Sequence, residues 1–130
     1  MKNQIHFKKD KFQKYNYYIY IAAQPIGEIS FIKRNNIILI GYLHIYEDHR
    51  NRHYGYQVVE YLLSHYKINC IIGETLYESR GFWNKCIHKY NGQRKNITYC
   101  DDCSSSFVIP KCNISRLEIY DLLNDFYKIL

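Results

Sequence analysis

The chain has 130 residues, 47% hydrophobic and 23% charged, which suits one globular domain and excludes a disordered or collagen-like protein. Its 18 basic and 12 acidic side chains leave a net charge of +6, which favours an anionic partner such as nucleic acid, an anionic surface or a phosphorylated cofactor. No apolar run approaches a membrane span of roughly 18 residues, and no apolar stretch follows the N-terminal lysines as in a secretory leader. Five cysteines, an odd number, speak against a disulfide framework, so the expectation is a cytoplasmic protein with reduced thiols.

In chain order, a thin apolar pattern allows one short strand at 5–7. YYIYIA at 17–22, aromatic and isoleucine-rich, predicts a strand. Gln24-Pro25 predicts a turn, because proline pre-sets a turn dihedral. IGEISFI at 26–32 alternates and predicts a half-buried strand, Arg34-Asn35-Asn36 a turn, and IILIGYLHIY at 37–46 a long strand. Three strands with short turns make an antiparallel meander. EDHRNRHYG, from Glu47, is a polar loop. Val59, Leu62, Leu63 and Tyr66 then recur at helical spacing and predict a helix over about 56–66. INCII at 68–72 is a short buried strand, which completes a strand–helix–strand unit with parallel strands.

A second helix is predicted over about 78–89, ended by Asn91-Gly92. ITYCD at 97–101 and SSFVIP at 105–110 flank Asp102-Cys103-Ser104 and predict a closing hairpin. In the tail, Ser115 with Glu118 three residues on is a capping-box signature, and Ile119, Leu122, Leu123, Phe126 and Leu130 share one face of a helix over about 115–130. The fold class is α/β or α+β: a single mixed, largely antiparallel sheet of about six strands with three helices, in one domain over 1–130.

The stretch with most chemistry is Arg50-Asn51-Arg52-His53-Tyr54-Gly55-Tyr56, between a strand and a helix. A helix start offers backbone N–H groups with no carbonyl below them and the positive end of the dipole, and Gly55 has no Cβ to keep a phosphate away. Taken bare, the stretch is either a phosphate cradle or a solvated basic turn that begins a helix. Cys100-x-x-Cys103 with Cys112 has the look of part of a zinc site, but no second CxxC completes it and no metal is expected. Arg80, Lys85, Lys89, Arg94 and Lys95 form a basic run that reads as a solvated face or a nucleic-acid surface.

The strand, loop and helix together resemble the central motif of the GNAT acyltransferase superfamily, Arg/Gln-x-x-Gly-x-Gly/Ala. Arg50 stands at its first position, Gly55 at its last, and His53 where glycine is usual. Ser79-Arg80-Gly81-Phe82-Trp83-Asn84-Lys85 resembles the family's second motif, and Gly27-Glu28-Ile29 matches a glycine common after the first hairpin turn. The resemblance covers about 15–110 and implies a GNAT-like fold with acetyl-coenzyme A as co-substrate. It implies that Arg50, Asn51, Arg52, His53, Tyr54, Gly55 and Tyr56 hold the pyrophosphate and that Leu43 and Ile45 lie on a splayed strand beside the pantetheine arm. Ser79, Phe82 and Trp83 complete the cofactor side. Trp83 stands where many members place an acidic tyrosine, and an indole N–H is no practical acid. The pair of helices that usually helps bind the acceptor has no room between the first strand and Tyr17.

The acceptor amine must be neutral to attack, so a base is needed. His44, Glu74 and Glu28 are the candidates; His44 leads because an imidazole ordinarily titrates near pH 6.5, roughly. Tyr90 or Tyr99 would replace the missing acid. The function these readings point to is N-acyl transfer to an unidentified amine, with an RNA-borne acceptor and a homodimer both compatible and no membrane partner. A degenerate acyl-coenzyme A binder and a basic nucleic-acid-binding domain are the alternatives.

Overall fold

The computed structural model describes residues 4–99 and 103–129. Among these residues seven strands form one sheet: β1 Ile5–Lys9, β2 Asn16–Ile21, β3 Gln24–Arg34, β4 Ile37–Ile45, β5 Cys70–Leu76, β6 Gln93–Lys95 and β7 Cys103–Ile109, in the order β1-β2-β3-β4-β5-β7-β6. The helices are α1 Tyr54–His65, α2 Arg80–Lys89 and α3 Arg116–Ile129, and a 3-10 turn at Glu47–His49 precedes α1. The sheet has seven strands against about six expected: the short strand that the thin pattern at 5–7 only allowed is formed as β1, and β6, three polar residues with no apolar pattern to announce it, takes the place of an expected strand at 97–101. No helix among the described residues is long and apolar enough to cross a membrane.

The chain divides into two compact units: one runs to Phe31 and includes Gly41–Lys67, the other comprises Ile32–Ile40 and the chain from Ile68 onward. In the first, β1, β2 and β3 pair antiparallel, with Ile5 opposite Ile21 and Tyr17 opposite Ile29. Period-two alternation puts Phe7, Tyr17 and Phe31 on one face, where α1 packs: Phe7 lies 4.8 Å from Tyr61 and Phe31 meets Tyr66 edge-on at 5.9 Å. Val58, Val59 and Leu62 of α1 are buried beneath. The opposite face carries no helix of this unit.

Pro25, expected in a turn, is instead the second residue of β3, opposite Tyr20 at a bulge that leaves Ile26 without a partner in the register. Proline has no N–H for a ladder, and a bulge tolerates that loss. The turn is made by Ala22 and Ala23, with Ala22 left-handed at φ 53°. The next turn is Asn35-Asn36, with Asn35 at φ 52°.

In the second unit Ile37–Ile40 of β4 run parallel to Cys70–Gly73 of β5, so the strand–helix–strand expectation holds for pairing sense. β5 pairs antiparallel with β7, and β7 with β6. The closing hairpin therefore has 93–95, not 97–101, as its first arm. Residues 97–99 are not strand: Ile97 is buried, the Tyr99 N–H donates to Glu74 Oε2 at 3.0 Å, and the Tyr99 ring stacks on Tyr127 at 5.1 Å. Cys100, Asp101 and Asp102 lie outside the described residues. α2 ends as expected at Asn91-Gly92. Asn91 takes the left-handed position at φ 54°, and a Cβ on Gly92 would come within 2.9 Å of the Val108 carbonyl, so glycine lets α2's exit lie against β7. The capping box forms in both directions, Glu118 N–H to Ser115 Oγ at 3.1 Å and Ser115 N–H to Glu118 Oε1 at 3.4 Å. Ile119, Leu123 and Phe126 of α3 are buried and Leu122 is half-buried; Leu130 lies outside the described residues.

Cys70 and Cys86 are fully buried, and among the described residues no three His, Cys, Asp or Glu side chains gather as a metal-holding group. Burial pushes the Cys86 thiol up to about 12 from 9.0, partly countered by Lys89; burial, then a hydrogen bond with Cys112, raises Cys70. Both thiols are thus held neutral. The stability this contributes is complete below pH 9 and is lost as pH climbs toward 12. At pH 8 iodoacetamide is expected to leave Cys70 and Cys86 unmodified in the native protein and to alkylate both in denaturant. Peptide mass spectrometry reads the result, and native-state labelling of Cys86 would contradict the packing.

Candidate functional site

The loop before α1 is shaped by two left-handed residues, Asn51 at φ 63° and His53 at φ 61°, on either side of Arg52. A side chain in that region is strained, which is the physical reason a glycine suits the position His53 holds. Alternating backbone hands of this kind turn successive N–H groups toward one concavity. His53 serves as N-cap of α1 without a side-chain cap bond, and its carbonyl accepts the Gln57 N–H at 3.2 Å. The N–H groups of Tyr54 and Gly55 precede that bond and have no carbonyl of the helix to donate to. Arg50, Asn51, Arg52 and His53 are exposed, and Tyr54, Gly55 and Tyr56 are half-buried. His53 stacks on Tyr56 at 5.9 Å. The loop thus offers oriented donors, a helix dipole and two arginines to an anion.

Arg50 also braces the loop, its Nε donating to the Ile45 carbonyl at 2.9 Å. The Tyr46 N–H donates to the Ile26 carbonyl of β3 at 2.9 Å. In extended backbone the groups alternate, so Leu43 and Ile45 direct theirs to the other edge of β4. The β4–β5 ladder stops at Ile40 opposite Gly73, five residues before β4 ends. Leu43 and Ile45, both half-buried, belong to this continuation.

His44 is exposed on β4, edge-on to Tyr46 at 5.8 Å. Gly27 of β3 lies so near the His44 carbonyl that a Cβ there would stand 2.2 Å from it, so only glycine fits. Glu74, half-buried on β5, is tied to the Tyr99 N–H. Tyr90 is half-buried at the end of α2, with its N–H on the Cys86 carbonyl at 2.9 Å and the Lys89 ammonium 5.8 Å from its ring. Ser79 precedes α2 and turns its hydroxyl back to the Leu76 carbonyl at 3.3 Å. Phe82 is half-buried, 4.8 Å from Trp83. Trp83 itself is 6% exposed and stacks on Phe107 at 4.2 Å, so its indole is a core ring. Sequence reasoning did not single out Tyr42 and Tyr46, which flank His44 on the same side of β4; alternation along 42–46 was the available signal.

No protein-family model matches the sequence, and no curated protein does. Solved structures are similar in fold. An acetyltransferase from Thermus thermophilus superposes with a TM-score of 0.55 at 13% identity, over 74% of this chain and 63% of its own. Diaminobutyrate acetyltransferase from Paenibacillus lautus, solved with its substrate and coenzyme A, gives 0.57 at 12% identity, over 78% and 74%. A GNAT-family acetyltransferase from Bacillus cereus gives 0.58 at 15% identity, over 77% and 72%. This chain therefore spans a little under two-thirds of the first protein's length and about three-quarters of the others'. With Ile37–Ile40 of β4 parallel to β5 and a basic loop at the start of α1, the fold of this chain is that of the GNAT acetyltransferases.

Proposed function

We propose that this chain transfers an acetyl or related acyl group from a coenzyme A thioester to an amine by direct attack. The observation that carries the reading is the 50–55 loop: two left-handed residues and the first N–H groups of α1, with Arg50, Arg52 and His53 beside them, in a fold whose neighbours include a coenzyme A complex. In this reading Arg50, Asn51, Arg52, His53, Tyr54, Gly55 and Tyr56 hold the pyrophosphate. Leu43 and Ile45 offer strand groups to the pantetheine arm; in the second unit Ser79 and Phe82 are the cofactor candidates that the second motif names, with Trp83 beside Phe82 in the core. His44 takes the ammonium proton, with Glu74 as the other candidate base. The amine nitrogen then bonds to the thioester carbon, the C–S bond breaks, the sulfur takes up a proton for which Tyr90 is the second unit's candidate donor, and the surplus proton of the nitrogen passes to solvent and restores the phenol.

The burial of Trp83 favours a second reading, binding of acyl-coenzyme A without turnover, because the ring at the usual acid position faces the core. Thiol release from acetyl-coenzyme A with a panel of amines separates the two. Both require binding. A ligand at 100 times its dissociation constant stabilises by about 2.7 kcal/mol, so saturating acetyl-coenzyme A is expected to raise the melting temperature by several degrees. An unmoved melting curve would remove both readings.

A further inference from the structure

The face of the first unit's sheet opposite α1 has a chemistry of its own. Glu28 of β3 lies directly opposite Tyr18 of β2, and Tyr20 follows on the same face beside the bulge. From β4, the Tyr42 hydroxyl donates to the Asn16 side chain, which fixes Tyr42 on this face, and His44 and Tyr46 follow at period two. Tyr18, Tyr20, Glu28 and Tyr46 are half-buried, while Tyr42 is 42% exposed and His44 is exposed. Four phenol rings therefore surround one carboxylate on an open surface, and Glu28 has no ion-pair partner among the described residues.

The other charges on this face lie at its border. Asp10 is held by the Phe12 N–H at 2.8 Å and Asn16 Nδ2 at 3.1 Å, which keep its carboxyl below the ordinary range and thus ionised. Lys8 of β1 is across from Tyr18, and His6 stacks on Tyr20 at 5.5 Å. Tyr42 and Tyr46 are both raised, first by burial and then by the Glu28 charge; Tyr18 is raised chiefly by Asp10 and also by Glu28. The phenols thus stay neutral, and their ring faces remain attractive to a cation.

We propose that this face binds a linear aliphatic diamine as a dication, with one ammonium on Glu28 among Tyr18, Tyr20, Tyr42 and Tyr46 and the other nitrogen reaching His44. Charge complementarity selects the occupant: a central carboxylate without a cation of its own, ringed by π-faces, attracts alkylammonium and repels anions. Gly27 packs on the backbone of His44 and Ile45, which puts Glu28 one residue from that crossing. The two side chains are then one or two strand spacings apart, about 5–10 Å, the reach of a four-carbon diamine. Presentation of the second nitrogen to His44 for acylation rests on the acyl-transfer reading; binding of the dication does not.

Diaminobutane and n-butylamine titrated calorimetrically into the full chain without acetyl-coenzyme A test the proposal. The diamine is expected to bind about tenfold or more tightly than the monoamine, and Glu28→Gln, which keeps the side chain's shape, to lose about tenfold. Tyr18→Leu should lose part of the affinity, and circular dichroism with the melting temperature confirms that each variant is folded. Equal affinity of the two amines, or a folded Glu28→Gln protein that binds the diamine unchanged, would overturn the site. Diamine binding that depends on Glu28 in a protein that ignores acetyl-coenzyme A would sustain the site and remove acyl transfer. Diamine acetylation that Glu28→Gln leaves unaltered would do the reverse.

Discussion

Gly55→Val is expected to weaken coenzyme A binding at least a hundredfold while the chain stays folded. Gly55 is the second residue of α1, and its N–H precedes the first helical bond. A branched side chain there occupies the space of a phosphate oxygen and screens the donors behind it. Hydrogen bonds to charged groups contribute about 1.5–3 kcal/mol each, so losing two exceeds a hundredfold in affinity. Arg50→Ala should cost less, because Arg50 is exposed and acts through screened charge and its bond to the Ile45 carbonyl. Calorimetric titration of both variants, with circular dichroism for folding, makes the comparison. Small and equal losses would mean that the loop is a solvated turn.

For stability the largest effect is expected at Phe107. The ring is fully buried on β7 and stacks on Trp83, and its edge lies over Gly73, where a Cβ would come within 2.6 Å of Phe107 Cζ. Truncating a buried phenylalanine to alanine costs about 3–5 kcal/mol. The glycine beneath has no side chain to fill the space, which puts Phe107→Ala toward the upper end. Against a total stability of about 5–15 kcal/mol that is a large share, and a domain of this size should melt about 10–20 °C lower. Phe107→Leu, which keeps most of the volume, should recover much of the loss. A drop of only a few degrees for the alanine variant would show that this part of the core repacks.

The elements legible in the sequence were those whose signals are local. The aromatic and isoleucine-rich composition of β2, the alternation in β3, the long apolar run of β4, the apolar stripe of α1, the Ser115–Glu118 box and the Asn91-Gly92 stop each depend on neighbours within a turn or two, and each formed. Errors arose where distant partners decide. Pro25 is strand because Tyr20 pairs beside a bulge, and the turn moved to two alanines with no turn chemistry of their own. β6 exists only because β7 offers an edge to three polar residues, and 97–99 left the sheet because Glu74 and Tyr127 hold Tyr99. At the candidate site the motif located the loop, but the strain at His53 and the inward ring of Trp83 are properties of the folded backbone and core. The tyrosine face likewise needs the register that sets Tyr18 against Glu28.

The strand order also bears on how copies of this chain meet one another. Among the described residues β1 and β6 are the outer strands of the sheet, each with a strand partner on one side only, and such an edge is a template on which a foreign strand can pair. β1 ends in exposed Lys8 and Lys9, and β6 is only Gln93, Arg94 and Lys95. A second molecule laid edge to edge on a like strand would bring lysine or arginine against lysine or arginine, across the roughly 5 Å that separates paired strands. Part of the positive charge that first suggests an anionic ligand thus stands on the sheet's two outermost strands, where like charges oppose edge-to-edge stacking of copies.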